Sequence, residues 1–193
     1  MFNITPVHLH LLVNHLPVEG SLVSVILVIY AMARNNAELK RTALIACVVT
    51  GIAAFVADST GGGAARVART IAGVDKLDIK AHIAAADLAR NASYVLAVVA
   101  LVGLILAWRK NDSPDTAAQP ITYTRRHKEP HLAIMIATLV IGLAVAGLMA
   151  NAAYHGGMIR HPEIEPNYNN PAKPDTTIPA ASSLPMLSRH AHG

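Results

Sequence analysis

Five histidines crowd the ends of apolar segments in this chain: His10 and His15 in HLHLLVNHLP, His82 in IKAHIAAAD, and His155 and His161 in AAYHGGMIRHP. An imidazole can ligate a metal or a haem and can carry a proton near neutral pH. Where the host segment is apolar enough for a membrane, a protonatable side chain at its end is a functional-site hypothesis by default. The pattern points to a ligand or redox centre at one end of a helical bundle.

Counting back along each segment from its inner end, at ~1.5 Å per residue, sorts these side chains by depth. From Arg34, His15 stands ~28 Å up and His10 ~36 Å up. From Arg109, Arg90 stands ~28 Å up and His82 ~40 Å up. From His131, His155 stands ~36 Å up, and from Arg41, Asp58 stands ~25 Å up. Two layers result. The outer one holds His10, His82 and His155; the one beneath holds His15, Asp58 and Arg90.

Two chemistries fit the outer layer. Haem b takes two imidazoles from facing helices, so any two of His10, His82 and His155 suffice, with His15 and Arg90 tuning the group or anchoring its propionates. Alternatively, three imidazoles and the Asp58 carboxylate form a donor set for a transition metal ion. Each residue also has a plainer reading. His10 can sit in the interface satisfied by water, and Asp58 and Arg90 can be a structural ion pair. Asn151, one turn before His155, is expected either to orient that ring or to bind a neighbouring helix. Glu19 is expected to be neutral, hydrogen-bonded to Ser21, Thr50 or another polar neighbour, with proton transfer or contact with a quinol-like substrate as the alternative.

Four apolar segments must position these groups. They are expected at about residues 7–33, 41–58, 82–109 and 131–155. Pro17 should bend the first near its outer end. The loop Ser59–Ala81 opens with STGGGAARVART, read as a flexible turn, and Gly156 and Gly157 are expected to stop the fourth helix. From Pro162 to the C-terminus six prolines prevent a lasting helix, giving either a strap over a partner subunit or a mobile tail. His190 and His192 in that tail are expected to bind metal only adventitiously.

Composition supports a membrane bundle. Of 193 residues 53% are hydrophobic, and only 15% are charged, against about 25% in soluble domains. The net charge of +4 is no nucleic-acid signal, because the basic residues lie between apolar blocks without a basic, aromatic-studded stripe. The single cysteine, Cys47, rules out an internal disulfide and reads as a small buried apolar side chain. MFNITPV lacks the basic region of a cleavable signal peptide, so the first helix is expected to stay in the membrane. Basic residues flank the first and third connections closely, which places those inside and both termini outside.

At HLHLLVNHLP the chain resembles a bacterial membrane family known as domain of unknown function 2231, whose hallmark is HPxxVHFP near the start of the first helix. His10, His15 and Pro17 stand at the matching positions, with Leu11 and Leu16 in place of the proline and phenylalanine. The resemblance continues through Gly51 and Asp58, His82, and GGMIRH from Gly156 to His161. It covers about residues 6–161 and implies four transmembrane helices with a histidine-rich outer end, without an agreed activity.

The expectation is an all-α fold: a four-helix transmembrane bundle over residues 1–161 with an extended proline-rich C-terminal tail over 162–193. It lies in the bilayer of a bacterial cytoplasmic (inner) membrane, with both termini periplasmic. The leading functional reading is a membrane subunit that binds haem b and passes electrons between the quinol pool and an outer-face redox partner. The alternatives are a non-redox metal-handling protein and a cofactor-free accessory subunit of a membrane complex. No nucleophile–base pair or phosphate loop suggests an enzyme acting alone.

Overall fold

The computed structural model describes residues 5–109, 130–161 and 163. The proline-rich tail, apart from Glu163, and the connection carrying Arg125, Arg126 and Lys128 lie outside them. The elements are α1 (Pro6–Val13), α2 (His15–Arg34), α3 (Ala37–Ala68), α4 (Lys76–Arg109) and α5 (Leu132–Met158). The fold is all-α. The helices α2, α3, α4 and α5 form a closed ring in chain order, with α2 returning against α5, and α1 lies chiefly on α3.

The break between α1 and α2 follows from Pro17. Its ring clashes with the carbonyl four residues back, and it has no N–H to give. That carbonyl belongs to Val13, where α1 ends. Asn14 spans the break, its N–H donating to the His10 carbonyl, while its side-chain Oδ1 is buried without a partner among the described residues. The bend falls at the histidine-bearing end of the segment.

At the other end of the bundle the α2–α3 connection is written in two asparagines. Asn35 takes the left-handed conformation that closes a helix (φ 46°), and its N–H donates to the Met32 carbonyl. Asn36 then caps α3, its Oδ1 accepting from the Leu39 N–H at 3.0 Å, as asparagine at an N-cap does. With that cap α3 starts at Ala37, four residues earlier than the charge of Arg41 suggests. Lys40 and Arg41 are consequently inside the helix and buried. Lys40 Nζ donates to Asn35 Oδ1 at 2.6 Å.

The largest departure from the sequence reading is at the opposite end. STGGGAA is not a flexible turn. It is helix, and α3 runs on to Ala68. The reversal comes later, at Gly73, whose φ of +82° only glycine adopts freely. Asp75 then accepts from the Leu77 N–H at 2.8 Å, capping α4, which begins at Lys76, six residues before His82. Likewise α5 continues through Gly156 and Gly157 to Met158.

The four long spans are apolar and long enough to cross a membrane. Large side chains such as Leu22, Ile26, Phe55, Val98 and Val140 are exposed along them. A soluble protein does not leave so continuous an apolar surface uncovered. This is a multi-pass membrane protein, in contact with lipid along those faces. Inside, Val28, Leu44, Cys47, Leu96, Met135 and Val145 form the core among buried alanines. Small residues set the helix spacing: a Cβ on Gly51 would stand 2.5 Å from Ala97 Cβ and 3.2 Å from the Ser93 carbonyl. Ser24 and Thr50 hydrogen-bond across α2 and α3 at 3.0 Å, a contact worth about 0.6 kcal/mol in a membrane bundle.

Candidate functional site

The four spans bring α1, the C-terminal half of α3, the start of α4 and the end of α5 to one end of the bundle. His10 and His82 face inward there, each half-buried. Their surroundings are alike. The Nδ1 of His10 lies 3.2 Å from the Ala57 carbonyl and 3.0 Å from Thr60 Oγ1. The Thr60 hydroxyl donates to the same Ala57 carbonyl at 2.8 Å. The Nδ1 of His82 lies 2.9 Å from the Ala152 carbonyl of α5. A carbonyl only accepts, so in each ring Nδ1 carries the proton and donates it. That bond fixes the tautomer and leaves the Nε2 lone pair available to a ligand.

Glycines seat both rings. A Cβ on Gly61 would lie 3.4 Å from His10 Cε1, and one on Gly156 would lie 3.2 Å from both Cε1 and Nδ1 of His82.

The other residues singled out by sequence divide. His155 is half-buried, with its ring edge-on to Tyr154 at a centroid distance of 5.6 Å. His15 is exposed on α2 and is not part of the pair. Asn151 is exposed as well. Asp58 and Arg90, placed at one level by counting, do meet: Arg90 Nη1 stands 2.7 Å from Asp58 Oδ1. It also lies 3.0 Å from Asp87, and Arg90 Nε and Nη2 donate to Asn91 Oδ1 at 3.3 and 3.2 Å. The guanidinium is therefore bound on all its nitrogens, and Asp58 is paired.

Glu19 does not find the partners expected for it. Ser21 donates to the Val18 carbonyl, Thr50 donates to the Ala46 carbonyl and meets Ser24, and Glu19 itself is exposed on α2. The reason is register: Ser21 and Ser24 are on the buried side of the helix, and Glu19 is on the other. Among the described residues no group of three or more His, Cys, Asp or Glu side chains is disposed to hold a metal ion.

Sequence reasoning missed Thr60, Gly61, Ala152 and Gly156 as parts of the site. A signal was present. A glycine inside a helical pattern costs about 1 kcal/mol against alanine and so marks a close approach.

Comparison with family models, curated proteins and solved structures finds no match to this chain.

Proposed function

We propose that this protein is a haem-b-binding membrane subunit that moves electrons between a quinol pool and a redox partner at its histidine end. The observation that carries the reading is the matched pair His10 and His82. Each ring is fixed through Nδ1 by a backbone carbonyl, offers Nε2, and rests on a glycine that leaves no Cβ in its way. Two oriented imidazoles from different helices are a donor set that haem iron accepts. Ala85 and Ala86 follow His82 on α4 and are half-buried, and such small side chains suit a flat macrocycle.

Haem b supplies one-electron chemistry whose potential is set by its axial ligands, their hydrogen bonds and burial. The chain's own part is to hold His10 and His82 in one tautomer and to limit water around them. His155 is the third imidazole at this end. Arg90, tied to Asp58 and Asp87, contributes positive charge about two turns below His82 rather than a free anchoring group. A transition metal on His10, His82, His155 and Asp58 is the weaker reading, because Asp58 is committed to Arg90. The basic residues close to the α2–α3 connection support an inner-membrane orientation with the histidine end outside. The motif resemblance to domain of unknown function 2231 supports the same plan.

The test is a reduced-minus-oxidised visible spectrum of protein purified from its native membrane, with a pyridine haemochrome assay and metal analysis. The expected result is a b-type spectrum that disappears in both His10→Ala and His82→Ala while the protein stays folded. Absence of haem from the wild-type protein sinks the reading, and stoichiometric metal without haem replaces it with metal handling.

A further inference from the structure

Two ionisable side chains of α2, His15 and Glu19, face away from the site and from the bundle. His15, Glu19, Leu22, Ile26, Ile29 and Ala33 are all exposed, and they follow one another in alternating steps of four and three along α2. That spacing fits a straight seam between two helices, but Ile136, Val140, Leu143 and Gly147 repeat it on α5; what sets the α2 face apart is the Glu19 carboxyl with the His15 ring one turn away. Counted from Arg34, Glu19 stands ~22 Å into a hydrocarbon layer of ~30 Å. Carboxyls at such depth face protein or a water-filled cavity and are paired there. Among the described residues Glu19 faces neither, since Ser21, Ser24 and Val25 hold the buried side of α2. Its polar neighbour on the seam is His15, one turn nearer the outer surface.

We propose that this face of α2 is the interface with a second copy of this chain, packed parallel about a two-fold axis along the membrane normal. The face is self-complementary, as a two-fold contact requires. The axis brings each Glu19 to the turn that holds Glu19 and His15 of the partner subunit, and a carboxyl meeting an imidazole is a complementary pair of charges and of hydrogen-bonding groups. Below them Leu22, Ile26, Ile29 and Ala33 pack against their own copies. Polar side chains act as glue in such contacts because hydrocarbon offers no other partner. None of these residues seats His10 or His82, so the proposal is independent of the haem reading.

Cysteine crosslinking in native membranes reads this interface, in the full chain carrying Cys47→Ala. Ile26→Cys, on the seam, should give a crosslinked dimer. Val140→Cys, equally exposed but on α5, should remain monomeric. Adding Glu19→Leu should lower the Ile26→Cys yield about tenfold, and Glu19→Gln, which keeps a hydrogen-bonding head, should hold it within about twofold. Equal yields at the two cysteine positions would overturn the proposal, as would an unchanged yield with Glu19→Leu. A monomeric mass in lipid nanodiscs would also overturn it and assign Glu19 to a lipid headgroup or a quinol-like ligand.

Discussion

His82 and Gly156 are in contact across α4 and α5: a Cβ on the glycine would stand 3.2 Å from Nδ1 and Cε1 of the ring. The same ring donates to the Ala152 carbonyl one turn earlier on α5. The imidazole is thus held by two successive turns of one helix, from one side by a hydrogen bond and from the other by the absence of a side chain.

Gly156→Ala should therefore displace His82. At 3.2 Å the new methyl forces the ring to shift by a few tenths of an ångström, and the 2.9 Å bond to Ala152 has little slack. Gly61→Ala puts its methyl 3.4 Å from His10 Cε1, close to ordinary contact, and should be milder. With haem bound, the expected outcome is a shifted Soret band or reduced occupancy in Gly156→Ala and a smaller change in Gly61→Ala. The reverse order in absorbance spectra of matched preparations would contradict the geometry.

The Asp58–Arg90 pair joins α3 to α4, and Asp87 shares the guanidinium. With Asp58 nearly half exposed, removing it should cost little, about 0.2–1 kcal/mol. Arg90→Gln should cost more, since it strips two carboxylates of their partner at once. Thermal unfolding in detergent for Asp58→Asn, Arg90→Gln and the double variant measures the coupling. A coupling of zero would mean that the pair contributes nothing to holding α3 against α4.

Thr138 is only 1% exposed, and its hydroxyl oxygen has no hydrogen-bond partner among the described residues. A buried hydroxyl without a partner costs on the order of 1–3 kcal/mol. Thr138→Val keeps the shape and removes the hydroxyl, so it should leave stability unchanged or raise it by about 1 kcal/mol. The paired hydroxyl of Thr50 provides the contrast, because Thr50→Val breaks the bond to Ser24 and should destabilise. Denaturation midpoints of the two variants should move in opposite directions or differ by at least that amount.

Beyond α5, the Glu163 carboxyl is held below the ordinary carboxylate range by its own backbone N–H and by the His161 ring 2.9 Å away. A carboxyl with a lowered folded-state value keeps its contact above the ordinary range and loses it as pH falls through the lowered value. A carbon-13 titration of Glu163 should give a midpoint below that of a free glutamate, moving upward in His161→Ala. An ordinary midpoint in the unaltered protein would show that the contact does not persist in solution.

The spans were legible because hydrophobic run length is a local property, and so was the meeting of Asp58 and Arg90, which needs only a count of residues from a shared floor. The seats of the histidines were not. That Gly61 lies under His10 depends on how α1 crosses α3 after the break at Asn14. That Gly156 lies under His82 depends on the rotation of α5 about its own axis. Glycine has opposite meanings in the two settings: a stop signal by propensity, and a contact surface once packing keeps the helix going. Glu19 failed for a related reason. Ser21 and Ser24 are close to it in sequence but on the other side of the helix, and only the burial of α2 reveals which side the bundle takes.

The distribution of the two seats along the chain has a consequence for how the protein is made. His10 finds Ala57, Thr60 and Gly61 as soon as the second span is in place, whereas His82 must await α5, whose Ala152 lies 70 residues further along the chain. Neither half alone presents both rings. A nascent chain that stalls before α5, or inserts that span the wrong way round, thus carries both rings but seats only His10. On the haem proposal, cofactor capture would then report that α5 has been inserted.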